Sequence, residues 1–440
     1  MISSLSGYRL LVAYSNNSTF TATTAEYLNS LRHYLSATVH YLHVTLDAKP
    51  VVDLSRYDAV LFSYCARLCI PGYVSEKFLR LMDRYEGVRA IAIQDEYDSV
   101  EIERKGLDRL RPHVVFTCVP PDQREAVYPS SRYPNTSFVQ VLTGYMPNQH
   151  PMRHATRPIA SRSIYLGYRG RDIGPRYGRL GLMKAEIGRV VGKAAVRRGL
   201  PCDIAMDEAS RIYGDAWYEW LGKCRCVLGS ESGSNVFDFD GSIAEGCAKA
   251  GTKPLPEALQ GRIDELDGSF SIGQASPRIF EAAMMGTAMA LYRGRYSGIL
   301  EPDRHYIPIE VDHSNLDEVL DRVQDAKELQ AMADRARADL IDSGRYSYAA
   351  FVDIVQHALT RALGDRPPRG GIAKTYPSIT KLSDPPLDEM PTSEPRHFDS
   401  FQLRHLLRQL QTTGPSGRLK RLKPTRIQRL IDKVRGKKRL

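Results

Sequence analysis

Nowhere in these 440 residues do apolar side chains run for the roughly 18 positions that a bilayer-crossing helix needs. Met1 to Tyr14 lacks the basic segment and the small-residue cleavage pattern of an export signal. A secreted or membrane-spanning chain is therefore not expected, and a cytoplasmic one is. The seven cysteines, at 65, 69, 118, 202, 224, 226 and 247, are odd in number and dispersed, which excludes a disulfide framework. Cys65-x-x-x-Cys69 and Cys224-x-Cys226 lack the spacing of a tetrahedral zinc site, so the thiols read as small core residues in a reducing compartment, with no metal expected. There is no Walker loop, no Gly-rich dinucleotide fingerprint and no Ser/His/Asp arrangement. His40, His43 and His113 fall in strand-like runs and read as core or edge residues.

Charge of one sign is also missing from most of the chain, despite a formal net charge of +10. Residues 401–440 hold thirteen Lys and Arg against the single acid Asp432, and the other 400 residues carry 48 basic and 50 acidic groups. The body is close to neutral, which argues against a nucleic-acid-binding surface there. Within the basic segment, Phe401, Leu403, Leu406, Leu407 and Leu410 keep one helical face, and Ile427, Leu430, Ile431 and Val434 keep another. Residues 396–440 are thus expected to be a basic amphipathic tail that meets an anionic membrane surface, peripherally and on its inner face. Residues 364–395, rich in Pro and Gly, read as a linker.

What is present is a rhythm of short apolar strands and helices. Strands are expected at Tyr8–Tyr14, Thr38–Val44, Asp58–Tyr64, Val88–Ile93, His113–Val119 and Ser137–Leu142. A crossing linker follows at residues 146–160, and a second series has strands at Ser163–Leu166, Cys202–Ala205, Cys226–Leu228, Ala288–Tyr292 and Tyr306–Glu310. The fold class is α/β: two doubly wound, Rossmann-like domains, residues 1–150 and 151–363, facing across a cleft.

The stretch Ser276-Pro277-Arg278-Ile279-Phe280-Glu281 begins a helix, with Ser276 as cap, Pro277 in the first turn and Gly286 as the stop. Ile279, Phe280, Ala283 and Met284 supply its packing face, which leaves Glu281 on another side. The strand Ala288–Tyr292 then opens into Arg293-Gly294-Arg295-Tyr296-Ser297-Gly298, at the sheet end where open α/β proteins bind ligands. This order, with Arg304-His305-Tyr306-Ile307-Pro308-Ile309, Ser314-Asn315-Leu316-Asp317-Glu318-Val319 and Ser343-Gly344-Arg345-Tyr346-Ser347-Tyr348, resembles the nucleotide-sugar domain of the glycosyl transferases group 1. The likeness is to the spore-maturation-type branch and covers residues 160–362 well. The resemblance implies the GT-B arrangement, a nucleotide-sugar donor as substrate, no cofactor, retention of anomeric configuration and no required metal. It places Glu281 on the donor ribose and returns the last helix toward the first domain. Two departures stand out: Gln274 replaces a family Glu seven residues before Glu281, and Ser15-Asn16-Asn17-Ser18-Thr19 replaces a Gly-rich acceptor loop.

A diphosphate needs helix-start amides and fixed cations. Gly167-Tyr168-Arg169-Gly170-Arg171 lies just after a strand and can supply both, with Lys184 on the following helix and the amides of Ser297 and Gly298 as further contacts. Arg169, Arg171 and Glu281 are the expected catalytic set. Gly167, Lys184, Gln274, Ser276, Pro277, Arg278, Tyr296, Ser297 and Gly298 are expected on the donor. Glu231, Ser232, Asn235 and Asp238, in a Gly/Ser-rich loop, suit a sugar or acceptor rim, to which the first domain adds Asn16, Asp95 and Glu96, the last two as candidate bases. The Asp238-x-Asp240 pair also has a spacing used elsewhere for divalent metals, but it lies well past its strand end. The expected activity is hexosyl transfer to a hydroxyl acceptor, a saccharide or a lipid-linked precursor, in surface polysaccharide or glycolipid synthesis. The competing expectation is a degenerate nucleotide- or glycan-binding module tethered to a membrane surface.

Overall fold

The computed structural model describes residues 4–15, 22–45, 52–147, 156–251 and 253–369. Asn16, most of the 364–395 linker and the whole 396–440 tail lie outside the described residues.

In the first domain the order is β1 (Arg9–Tyr14), α1 (Ala22–Tyr34), β2 (Thr38–His43), β3 (Ala59–Phe62), α2 (Glu76–Met82), β4 (Val88–Ala92), α3 (Val100–Leu110), β5 (Val114–Thr117), α4 (Arg124–Val127) and β6 (Ser137–Gln140). The strands form one parallel sheet in the order β2-β1-β3-β4-β5-β6. Strands β3 and β5 are buried at every position, as expected of parallel strands covered on both faces.

The second domain runs β7 (Ile164–Arg169), α5 (Gly178–Arg197), β8 (Cys202–Ala205), α6 (Asp215–Leu221), β9 (Cys224–Gly229), α7 (Ser242–Ala250), α8 (Glu257–Ser269), α9 (Pro277–Met284), β10 (Ala288–Tyr292), β11 (Ile307–Ile309), α10 (Leu316–Arg322), α11 (Ala326–Arg337) and α12 (Tyr348–Leu363). Its strands are parallel in the order β11-β10-β9-β7-β8. The described chain is thus α/β, with two doubly wound, Rossmann-like sheets. In such a sheet the order reverses between β7 and β9, and the crevice beyond their carboxyl ends is where a ligand fits.

The last helix returns to the first domain, as the resemblance implies: α12 buries Tyr348, Phe351, Val352, Val355, Leu359 and Leu363 in the core of the first sheet. The two crossings run side by side: Met146 N donates to Tyr346 O at 2.9 Å, and Tyr348 N to Met146 O at 2.9 Å. The loop after β9 also reaches across, pairing Asp238 N with Tyr97 O at 2.9 Å and Val100 N with Asp238 O at 3.1 Å, while Phe237 stacks on Phe270 within a core shared with the first domain.

Candidate functional site

Helix α9 carries the site's best-placed groups. Pro277 stands in its first turn, and Ile279, Phe280, Ala283 and Met284 are buried as the spacing required. Gly286 ends it at φ +58°, with Gly286 N bonded to Ala283 O and Thr287 N to Ala282 O. Ser276 has the extended backbone of a cap, but its hydroxyl makes no cap bond. The guanidinium of the buried Arg162 fixes the far end, donating to Met285 O at 2.9 Å, Cys224 O at 2.9 Å and Thr287 Oγ1 at 2.8 Å. That anchorage ties α9 to β9 and β10, so the helix start is held firmly over the β7–β9 crevice.

At this start the amides of Ser276 and Arg278 donate to nothing among the described residues. The exposed Arg278 side chain reaches across to the carbonyl of Arg169 at the end of β7. From α5, Lys184 Nζ donates to Glu231 O at 2.9 Å, beyond the end of β9. Burial, and then the neighbouring Arg278, lower the Lys184 ammonium to about 8. Neither cation has a carboxylate ion pair among the described residues, so two positive charges and a positive helix end converge on one crevice.

Glu281 is one turn further along α9. Its Oε2 accepts from Trp217 Nε1 of α6 at 2.7 Å. Burial raises its pKa, while the Trp217 bond and Arg278 pull it back. Glu26 of α1 approaches from the first domain; burial, and then Glu281, push it up to about 7. Tyr218 on α6 feels both carboxylates. The first domain also touches α9 directly, through Thr143 Oγ1 donating to Ala275 O at 2.5 Å and through Gly144, where any side chain would strike Pro277.

Several expected contacts are spent elsewhere. Arg169 turns toward β8, paired with Asp203 at 2.7 Å and lying over the Trp220 ring at 4.7 Å, so its charge is already matched. Arg171, by contrast, is exposed in the loop beyond β7 and makes no ion pair among the described residues, so its charge is not spent. Gly167 is inside β7, where a Cβ would meet Cys224 and Trp220. The start of α5 is taken by the protein's own Asp267, whose Oδ2 accepts from Arg179 N at 2.5 Å. Ser297 N donates to Gly273 O at 2.8 Å and Gly298 N to Arg295 O at 2.7 Å, within a 3-10 turn rather than a helix start, so these amides are not free for phosphate. Tyr296 is fully buried with its hydroxyl on Tyr292 O, a core residue rather than a donor contact.

The expected rim divides in the same way. Glu231 accepts from Arg295 N at 2.6 Å and Tyr296 N at 3.1 Å and stands beside Lys184. Ser232 and Gln274 pair through their backbones at 2.7 and 3.0 Å, which stitches the rim to the segment entering α9. Asn235 Oδ1 accepts from Ile272 N at 2.9 Å. Asp238, expected to meet sugar, is buried and caps α7, accepting from Ile243 N and Ala244 N; Asp240 pairs with Arg262. Among the described residues no three His, Cys, Asp or Glu side chains gather as a metal-binding group. Glu96 is 3% exposed and accepts from Thr117, Cys118 N and Tyr128, so it cannot meet an acceptor; burial pushes it up to about 7. Asp95, at φ +54°, is half-exposed beyond β4 and held by Tyr97 OH at 2.8 Å and Arg67 at 3.3 Å.

Trp217 and Glu26 are the residues that sequence reasoning missed. The only local signal was the pair Trp217-x-x-Trp220 on a short helix between two strands.

No protein-family model matches the chain, and no curated protein matches it. Among solved structures it is similar to an alpha-glucosyltransferase in complex with UDP-glucose and DNA containing an abasic site, at 10% identity and TM-score 0.47, covering 80% of this chain and 99% of that one. HepE of Anabaena in complex with UDP and glucose aligns at 10% identity and TM-score 0.42, covering 80% and 100%. TarM aligns at 11% identity and TM-score 0.39, covering 70% and 56%. These are likenesses of backbone course, and nothing about the site follows from them.

Proposed function

We propose that the chain is a glycosyltransferase that moves a hexosyl group from a nucleotide-sugar donor to a hydroxyl acceptor. The convergence of Lys184, Arg278 and the α9 helix start on the β7–β9 crevice carries this reading, because unmatched positive charge there suits a diphosphate. Glu281, one turn away, suits the ribose hydroxyls beside that diphosphate.

In the reaction the bond between the anomeric carbon and the phosphate oxygen breaks, a bond to the acceptor oxygen forms, and the acceptor's hydroxyl proton passes to the departing diphosphate. Lys184 and Arg278, with the exposed Arg171, take over the stabilising role first expected of Arg169 and the Ser297 and Gly298 amides, offsetting charge that grows on the leaving diphosphate. Contact between the domains excludes water, which would otherwise hydrolyse the donor. Retention of configuration without a metal follows the family resemblance. The acceptor is a saccharide or lipid-linked hydroxyl of a surface polysaccharide or glycolipid, brought to the enzyme where residues 396–440 meet an anionic membrane.

Calorimetric titration of UDP, GDP, ADP and TDP into the full chain tests the donor site. One of them is expected to bind at micromolar concentration, and Glu281→Ala to weaken it about tenfold or more, about 1.4 kcal/mol. Silence from all four ends the donor-site assignment. Binding without sugar transfer to any acceptor would leave a nucleotide-binding module instead.

A further inference from the structure

Four side chains form a continuous column beside the crevice. Arg169 lies 4.7 Å from the Trp220 ring, Trp220 stacks on Trp217 at 5.1 Å and 23°, and Arg278 lies 5.4 Å from the Trp217 ring. Arg278 then closes the circuit onto the Arg169 carbonyl. Both indole N–H groups end on carboxylates: Trp220 on Asp203 Oδ2 at 2.8 Å, and Trp217 on Glu281 Oε2 at 2.7 Å. The Asp203 end is a closed structural pair with Arg169. The Glu281 end is open, because its second oxygen accepts nothing among the described residues.

We infer that Trp217 is the positioning residue of the donor site: its N–H aims the free Glu281 oxygen at the ribose hydroxyls, while its ring holds Arg278 over the diphosphate. This rests on the donor-site reading above. Trp217 can do so because α6 and α9 lie side by side on one face of the second sheet and both begin at its ligand-binding edge. Trp220, pinned by Asp203 and covered by Arg169, gives the Trp217 ring a rigid backing, so one indole fixes two ligand-facing groups at once. The charged or titratable groups facing Glu281 are Arg278 on its own helix, Tyr218 on α6 and Glu26 on α1.

The test uses the full chain with three probes: UDP, GDP and ADP; their 2′,3′-dideoxy forms; and inorganic pyrophosphate. Trp217→Phe keeps the ring and removes the N–H. It is expected to weaken the bound ribonucleotide about tenfold while leaving the dideoxy form and pyrophosphate within about twofold. Trp217→Leu is expected to weaken pyrophosphate as well. In Trp217→Phe the acid limb of ribonucleotide affinity moves to higher pH, since Glu281 has lost a donor that favours its ionised form. Equal weakening of ribo- and dideoxynucleotide, or none, overturns the inference and leaves the donor site standing. No nucleotide binding by the wild type overturns both. Should the variants not fold, the wild type still decides: Trp217 and Trp220 are the chain's only tryptophans. Their fluorescence must respond to the ribonucleotide and much less to its dideoxy form, and an equal response to both overturns the proposal.

Discussion

Among the described residues the Lys184 ammonium donates to the Glu231 carbonyl alone, and burial together with Arg278 lowers it to about 8. A diphosphate would restore what these neighbours take away, because a nearby negative charge favours the protonated amine. Nucleotide affinity is therefore expected to hold below about pH 8 and to decline above it as Lys184 loses its proton in the free protein. Lys184→Met should weaken nucleotide binding about tenfold at pH 7, about 1.4 kcal/mol, and should abolish that alkaline limb. Calorimetry across pH 6.5–9.5 reads both, and an unchanged limb in the variant would remove Lys184 from the site. The sequence marked Lys184 as a cation near a strand end. It could not show Arg169 turning onto Asp203, since that pairing joins residues 34 apart across β7 and β8.

At the scale of elements, the placement of Glu281 and Arg278 depends on α9 stopping where it does. Gly286 sits at φ +58°, and a Cβ there would make only ordinary contacts with Arg162 and Thr156, so a side chain meets backbone strain rather than a clash. Gly286→Ala is expected to cost about 1 kcal/mol of stability, read from the midpoint of urea unfolding. No loss would mean the chain leaves the left-handed conformation freely. This stop was legible from Pro277 and Gly286 alone, as was the buried run of β10, because caps and parallel strands are local or nearly local properties. The neighbouring α6 was not read, since Trp217 gains its role only when α6 packs beside α9.

Across the whole molecule, two glutamates make stability fall as pH rises. Glu26 and Glu96 are each pushed up to about 7, in both cases chiefly by burial. The folded chain keeps these protons up to about pH 7, whereas the unfolded chain releases them near the ordinary value of 4.5. The folded state thus binds more protons between pH 4.5 and 7, and stability declines through that window. Thermal melts in series across pH 4.5–7.5 should show this decline, and Glu26→Gln should flatten it. A variant with the wild-type slope would show that Glu26 is not a group that holds its proton on folding.

The sequence by itself determined the two parallel sheets, their strands and the end of α9, because apolar runs, Pro and Gly act through local backbone preference and two-sided burial. It also determined that the positive charge lies in residues 401–440 and not in the body. Only the tertiary structure decided which ionisable groups remain available. Asp238 went to an internal helix start, Glu96 to three buried donors, and the Ser297 and Gly298 amides to a turn, while Lys184, Arg278 and Glu281 were left at the crevice. A side chain's charge is written in the sequence, but whether that charge is already matched depends on neighbours that folding brings from far along the chain.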